Sequence, residues 1–532
     1  MHMATNGAST SVWMATASVP VYPSLSGDLE ADVCIIGAGI AGLTTAYLLS
    51  REGKRVVLLD SMGIGAGETG RTTAHFFPPD EWYTGVEDAM GEDGAKLVAE
   101  SFSQAILLVE NIARQEQIDC EFERLDGYLY ALPGNAFQDM DKEFQAARRA
   151  GVDVEKLERV PGLSFDTGPC VRYRNQGQFH PVKYLNGLAQ AFVRDGGIIH
   201  GGTHAFKIEG DDRSQVVSTT HGKVRANAVV VATNTPFNDR VVMHTKQMGY
   251  RTYVLGVRVP KGTVPRILLW DTGDPYYYLR LESPDPLADH DILIVGGADH
   301  KVGQDTHPEH RYDEIERWVR ERFPMAQAVE YRWSGEVMEP SDGPAYLGRN
   351  PTDDDNVYII TGDSGNGMTH TTIGAMLVTD LNMGRDNRWA SLYDPSRKVK
   401  HGITDFVTEQ ANTLAQYGEW ASGGEVDSVQ EIAAGEGAIV RQGTHKLAVF
   451  RDEQGATHAL SAKCTHLGCV VHWNSAERSW DCPCHGSRFS TDGAVLHGPA
   501  ASPLEEAELS AGDLLPPTLD TDHASQHRPD AG

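Results

Sequence analysis

The sequence predicts an α/β domain wound about a parallel sheet, an α+β region inserted into it, and a small all-β domain at the C-terminus. Three observations carry this. From Asp28 to about Pro395, apolar strand-like runs alternate with helical stretches, the rhythm of βαβ units. Between about 240 and 335 the strand-like runs follow one another with little helix between them. From Glu431 to about Leu509 the chain turns to short strands and glycine turns. At 532 residues the chain is also too long for one ordinary core.

In chain order, residues 1–27 are rich in Ser, Thr, Ala and Gly and read as an arm lying on the first domain. Met1–Ala17 has neither the basic region nor the apolar run of a secretory signal. Residues 28–395 form the large domain, with strands at Val33–Ile36, Val56–Leu59, Ala228–Ala232 and Val357–Thr361 and helices at Ala95–Gln117 and Tyr312–Phe323. Tyr250–Val259, Tyr276–Leu281 and Asp291–Val295 read as the antiparallel sheet of the insertion. Polar, helix-prone residues 396–426 connect to the small domain, 427–512, and residues 513–532 read as a disordered tail. No stretch approaches the ~18 apolar residues that span a membrane.

The first strand, Asp32–Ile36, runs straight into Gly37-Ala-Gly39-Ile40-Ala41-Gly42 and a helix to Arg51; the second strand ends in Asp60. Gly37 permits the tight turn, Gly39 lets backbone approach a pyrophosphate, and Gly42 lets the helix pack on the sheet. The helix N-terminus receives phosphate charge, and Asp60 can accept from ribose hydroxyls. Strand, glycines, helix and acid together mark a dinucleotide site. Tyr358–His370 adds a second Gly-rich turn opening a helix; Gly362, Gly365, Asn366, Gly367 and Met368 there can aim backbone N–H groups at a flavin. There is no second strand–GxGxxG–helix unit for a nicotinamide.

With Ala228–Asn234, Glu68-Thr-Gly-Arg71-Thr72-Thr73-Ala-His75, Gly177–Pro181, Trp333–Glu336 and Pro340–Pro344, this set resembles the D-amino-acid-oxidase-like superfamily of flavoproteins (glycine oxidase, sarcosine oxidase and DadA types) over residues 28–395. The resemblance implies a Rossmann-type FAD-binding domain with an inserted α+β substrate domain, further FAD contacts from Arg71, Thr72 and Thr73, and oxidation of a C–N bond in an amino acid or a secondary or tertiary amine. Asp60 stands where the superfamily usually has Glu, a shorter reach.

Of seven cysteines, Cys34, Cys120 and Cys170 are scattered and read as packed thiols, while four lie between positions 464 and 484. Without a secretion signal such a cluster reads as a metal site before a disulfide framework. Cys464-Thr-His466-Leu-Gly-Cys469 and Cys482-Pro-Cys484-His485-Gly-Ser487 offer two Cys/His pairs on facing loops. Cys464 and Cys482 would hold one iron of a [2Fe–2S] cluster and His466 and His485 the other; neutral imidazoles in place of two thiolates raise its potential. Structural zinc is the competing reading.

The loops resemble the Rieske proteins of cytochrome bc complexes, which implies a disulfide between Cys469 and Cys484. Whether it forms depends on the compartment, since the cytosol is reducing. Gly498-Pro-Ala500 resembles the covering loop of that family, Ser487 its hydroxyl donor to a cluster sulfur, and Phe489 stands where a tyrosine commonly donates another. The implied potential lies below the respiratory relatives and above plant-type ferredoxins. The whole fusion, with Ser11-Val-Trp13 ahead of the first strand, resembles the bacterial YhfW-like family.

Two such cofactors in one chain imply a wire: a small-molecule amine or amino acid reduces FAD, single electrons pass to the Rieske cluster, and an external protein accepts or donates them. The alternatives are an electron-transfer component serving a partner enzyme, a Rieske oxygenase, which needs a mononuclear iron site in a large domain here committed to FAD, and a redox sensor switched by Cys469 and Cys484. Tyr276, Tyr278 and Arg280 fall on one strand face, where Tyr278 and Arg280 could hold a substrate carboxylate or form a core edge with a surface Arg. His75 could hydrogen-bond the flavin or attach to it, or simply pack; His370 is a polar contact beside the flavin-facing turn; His180 only shapes the Rossmann edge. The net charge of −28 disfavours nucleic acid and anionic membranes and serves solubility or steering of a basic electron-transfer partner. The expected location is cytoplasmic.

Overall fold

The computed structural model describes residues 6–510 apart from 80–81, 133–135, 239–242, 284–286, 306, 399–411 and 414. The tail expected at 513–532 and much of the connector fall outside the described residues.

Strand Leu29–Ile36 is apolar on both faces beyond its first turn and takes the centre of a parallel sheet, as such a strand must. It pairs in parallel with Val56–Leu59 on one side and Gly222–Asn234 on the other. Ile198–His200 extends one edge; Val357–Thr361 and then antiparallel Tyr346–Arg349 extend the other. Helices Ile40–Arg51 and Gly367–Asn382 pack on each other and share a core through Leu43, Tyr47, Ile373 and Leu377. Both helices start where a strand of this sheet ends, so both N-termini meet at its C-terminal edge.

The second sheet has nine strands and is larger than the expected insertion at 240–335. Gln247–Pro260 pairs antiparallel with His290–Lys301 and Val329–Pro340. Leu268–Asp271 then runs parallel to Glu123–Tyr130, which brings in Cys170–Gln178, Val154–Leu157 and His75–Phe76. The early strands lack an apolar run because they begin half-buried, as in Glu-Arg-Leu-Asp at 123–126. Helix Trp82–Gln115 also starts well before the expected Ala95, with a break at Gly91 (φ 75°, ψ 172°).

The small domain holds a three-stranded sheet, Gly437–Gln442, His445–Arg451 and Thr457–Ser461, and a four-stranded one, His472–Asn474, Ser479–Asp481, Arg488–Phe489 and Val495–His497. It is tied into the large domain by buried charge. The Arg71 and Glu477 side chains, 3.2 Å apart, are both 0% exposed. The N-terminal arm does not lie on the first domain alone. Asn6 bridges Glu68 and Arg71 of the large domain and accepts from Arg488 of the small one, and Ser9 donates to Glu477. Helix Val12–Thr16, N-capped by Ser11, buries Trp13 against Arg280.

Candidate redox site

One cavity opens at the edge of the parallel sheet, lined by three parts of the chain. Gly37, Gly39, Ile40, Ala41 and Asp60 come from the first βαβ unit, Thr252, Val254 and Tyr278 from the second sheet, and Val495–Ala500 from the small domain. Thr72, Thr73, Gly365, Gly367, Met368 and His370 complete it. The glycines are dictated by contact. Gly37 has φ 106°, and a Cβ there would lie 2.3 Å from the Ala232 carbonyl oxygen; at Gly42 it would lie 1.9 Å from the Gly37 oxygen. Gly42 thus seats the helix and does not line the cavity. Gly362 and Asn366 also shape their turn from behind; the Asn366 carbonyl accepts from Thr369 and His370.

Asp60 lines the cavity with its carboxylate already shaping the loop. It accepts from Ala38 N at 2.7 Å, Met62 N at 2.8 Å and Gly63 N at 2.7 Å. Burial raises its pKa against these bonds. Any ribose contact would be added to them.

Arg71 lines the cavity with Thr72 and Thr73, and its guanidinium donates to Asn6, Ser9, the Ser334 carbonyl and Glu477, so it also pins the domains together. Two expected site residues are placed differently from the sequence reading. Arg280 is 1% exposed and does not line the cavity. Its guanidinium donates to the carbonyls of Ala74 and Phe179 and to Glu282, which leaves no fork for a substrate carboxylate. His75 lies outside the cavity lining, its Nδ1 3.0 Å from Thr73 Oγ1; burial and the neighbouring Arg280 push its pKa down to about 3, so it is neutral. Tyr278 lines the cavity, with its hydroxyl 2.9 Å from Thr252 Oγ1. The Tyr276 ring lies tilted against that of Tyr278, with centroids 5.5 Å apart. His370 lines the cavity as a neutral ring, its pKa lowered to about 4 by burial, and lies 2.8 Å from the Asp363 carbonyl. His180 caps its helix by accepting from Lys183 N.

Sequence reasoning missed the acids and the histidine where the domains meet. Glu68, Glu336 and His497 converge, and His497 Nδ1 is 3.3 Å from Glu336. Trp333–Glu336 carried a signal as a motif; nothing local marked His497.

In the small domain the two Cys/His loops face each other. Cys464 and Cys482 are buried, with their thiols hydrogen-bonded together, and the His466 and His485 rings lie with centroids 5.0 Å apart. Cys469 and Cys484 form a disulfide, bracing the loops. The Ser487 hydroxyl reaches the Cys464 sulfur and accepts from Ala500 N at 3.0 Å. Paired thiols beside paired imidazoles, with a hydroxyl donor on the sulfur side, fit the donor set of a Rieske centre. His244 of the large domain packs its ring on both histidines, with centroids 4.8 and 6.0 Å away.

Residues 32–381 match the FAD dependent oxidoreductase family, DAO. The chain belongs to that family. Residues 423–508 match the Rieske [2Fe-2S] domain, which sets the zinc reading aside. The protein is a flavoprotein oxidoreductase that binds FAD in the large domain and a [2Fe–2S] cluster in the small one. It is 31% identical to YhfW of Bacillus subtilis (strain 168), described as a Rieske 2Fe-2S iron-sulfur protein, over 93% of this chain and 97% of that one. It is 25% identical to gamma-glutamylputrescine oxidoreductase of Escherichia coli (strain K12) over 69% of this chain and 87% of that one. The fold of glycine oxidase from Geobacillus kaustophilus superposes with a TM-score of 0.59 at 19% identity, covering 70% of this chain and 100% of the other. No described helix is long and apolar enough to cross a membrane.

Two expectations follow for the cluster loops. The disulfide spans a sequence separation of 15, so Cys469→Ser should cost about 3 kcal/mol of small-domain stability, read as a lower denaturation midpoint under oxidising conditions. Phe489 is buried in the core that also holds Cys464 and Cys482. If Phe489→Tyr restores a donor to the cluster, one hydrogen bond of ~1 kcal/mol raises the potential by about 40 mV, measured by EPR-monitored redox titration.

Proposed function

We propose that this protein oxidises a C–N bond of a small-molecule amine or amino acid and sends the electrons through its Rieske centre to an external acceptor. The observation that carries the reading is the shared cavity: Val495–Ala500 of the Rieske domain forms one wall of the site that Gly37–Ala41 opens. When bound, FAD accepts a hydride from the carbon next to nitrogen, and the cluster carries one electron at a time. The product imine takes up water to give a carbonyl compound and ammonia, or an amine where the nitrogen carries a second carbon substituent.

The chain's own residues have distinct parts in this reading. Gly37, Gly39 and the helix start at Ile40 receive the pyrophosphate. The turn with Gly365, Gly367 and Met368, together with Thr72 and Thr73, lines the same cavity and would hold the flavin. Thr252, Tyr278 and neutral His370 face the substrate. Cys464, Cys482, His466 and His485 ligate the cluster. A buried interface around Arg71 and Glu477 keeps the two centres at a fixed separation. The relatives named gamma-glutamylputrescine oxidoreductase and probable oxidoreductase OrdL support the reaction class.

The test is an anaerobic panel of amines and amino acids added to holoprotein, following flavin absorbance and the reduced-cluster EPR signal together. A substrate class that bleaches the flavin and develops the signal supports the proposal. Reduction only by a partner enzyme, with no response across the panel, would overturn it in favour of an electron-transfer component.

A further inference from the structure

The small domain is seated on the large one by the loop that carries two of its cluster ligands. Along Cys482–Ser487, backbone meets backbone. A Cβ on Gly303 of the large domain would lie 2.8 Å from Pro483 N, and one on Gly249 would lie 3.4 Å from Gly486 Cα. Gly486 faces back the same way: a Cβ there would lie 2.3 Å from Glu336 Oε1. These glycines, two on the large domain and one on the loop, remove the side chains that would hold the two surfaces apart.

His244 completes the seat, and its turn is firmly anchored. Met243 before it is buried in the core on one face of the parallel sheet. Lys246 after it donates its N–H to the Met243 carbonyl, and the Lys246 carbonyl accepts from Ser341 N at 2.8 Å. Its Nζ donates to the carbonyls of Pro395 and Arg397. The buried His244 ring meets those of His466 and His485 edge-on, at interplanar angles of 78° and 66°. His485 is buried as well, so it faces the large domain and not the solvent. The same stretch of chain ties back to the cavity. Gln247, three residues after His244, is hydrogen-bonded to Thr361 Oγ1 at 3.1 Å, and Thr361 lines the cavity.

We propose that His244, Gly249 and Gly303 form a fixed port through which the cluster takes electrons from the flavin, with His244 as the positioning residue for the two imidazole ligands. This rests on the electron path proposed above, but not on any substrate class. The chemistry favours this edge. Neutral imidazoles leave their iron more positive than thiolates do, so the arriving electron settles there, and the ligands of that iron are what His244 touches. The step is a bare one-electron transfer: reduced flavin loses one electron, one ferric ion becomes ferrous, and no bond is made or broken. With no room for a methyl group at Gly303, the loop sits directly on the large domain, and the cluster need not leave it between electrons.

The test uses holoprotein and needs no amine. Illumination with EDTA under anaerobic conditions reduces the bound flavin, and the cluster's visible bleaching and EPR signal then report electron arrival. His244→Leu is expected to slow that arrival about 10–100-fold, with flavin content, iron content and cluster reduction by dithionite unchanged. Pulsed EPR of the dithionite-reduced variant is expected to show altered couplings to the histidine nitrogens, because the ring packed against both ligands is gone. Gly303→Ala, which pushes the loop off its seat without touching a ligand, is expected to slow the flavin-to-cluster step too, so a His244 variant that loses its cluster does not end the test. A wild-type rate in either variant, with both cofactors in place, overturns the port. Equal slowing of the dithionite reaction also overturns it, since the fault then lies in the cluster itself. Wild-type protein whose flavin photoreduces while its cluster stays oxidised overturns the electron path and this inference together. Silence of the amine panel alone overturns C–N oxidation and leaves the port standing.

Discussion

Glu477→Gln is expected to destabilise the protein by about 3–5 kcal/mol at neutral pH, measured by chemical denaturation, and to expose the junction between the domains to limited proteolysis. Burial alone would raise the Glu477 carboxyl, but Arg71, Arg251 and Arg488 outweigh it and hold it down at about 2. The variant leaves those arginines without their shared anion in a site where Arg71 is 0% exposed, and an uncompensated buried charge is what makes half of an ion pair costly. The pH dependence has a definite sign. An unfolded Glu titrates near 4.3, so the folded carboxylate contributes its full stability above about pH 5 and loses it as the pH falls toward 2; two units of depression correspond to roughly 3 kcal/mol. The acid limb of the wild-type stability curve should flatten in Glu477→Gln. Arg71→Met combined with Glu477→Met removes both charges and is expected to recover part of the loss. A single-variant effect below about 1 kcal/mol would place the pair among surface bridges in energetic terms.

What could be read from the sequence was what short segments determine by themselves. Gly37 and Gly42 are fixed by clashes with backbone oxygens, so the strand–glycine–helix pattern declares its own geometry. The Rieske loops declare theirs because Cys464, His466, Cys482 and His485 lie on two short facing turns. Arg280 shows where that reach ends. Strand alternation correctly put it on the Tyr278 face, but whether its guanidinium enters the cavity depends on Glu282 beside it and on the carbonyls of Ala74 and Phe179, which come from distant parts of the chain. The docking of the domains was wholly illegible. Asn6 meets Arg488, and Glu336 meets His497, across hundreds of residues, and each alone reads as an ordinary polar side chain. The early strands of the second sheet were hidden for another reason: Glu123–Tyr130 begins half-buried and charged, so no apolar run announces it.

The second large effect separates the two redox centres. Cys482→Ser is expected to abolish the reduced-cluster EPR signal and the bound iron while flavin content and anaerobic flavin bleaching by substrate persist. Cys482 is buried beside Cys464, the nearby sulfurs of Cys469 and Cys484 are bound to each other in the bridge, and a serine oxygen is a poor substitute for a thiolate that iron–sulfur chemistry requires. The cavity wall at Val495–Ala500 is contributed by a different stretch of the domain, whose strand Val495–His497 is held by pairing with Arg488–Phe489, so flavin binding need not follow the cluster. Losing a ligand should reduce one-electron acceptor turnover by more than the about 10–100-fold that losing an outer partner costs. The split between the two readouts is the decisive feature, because a merely unfolded variant would lose both. Wild-type acceptor turnover in cluster-free protein would mean that electrons leave the large domain directly, and that the buried contact of His244 with His466 and His485 joins two domains without joining their electrons.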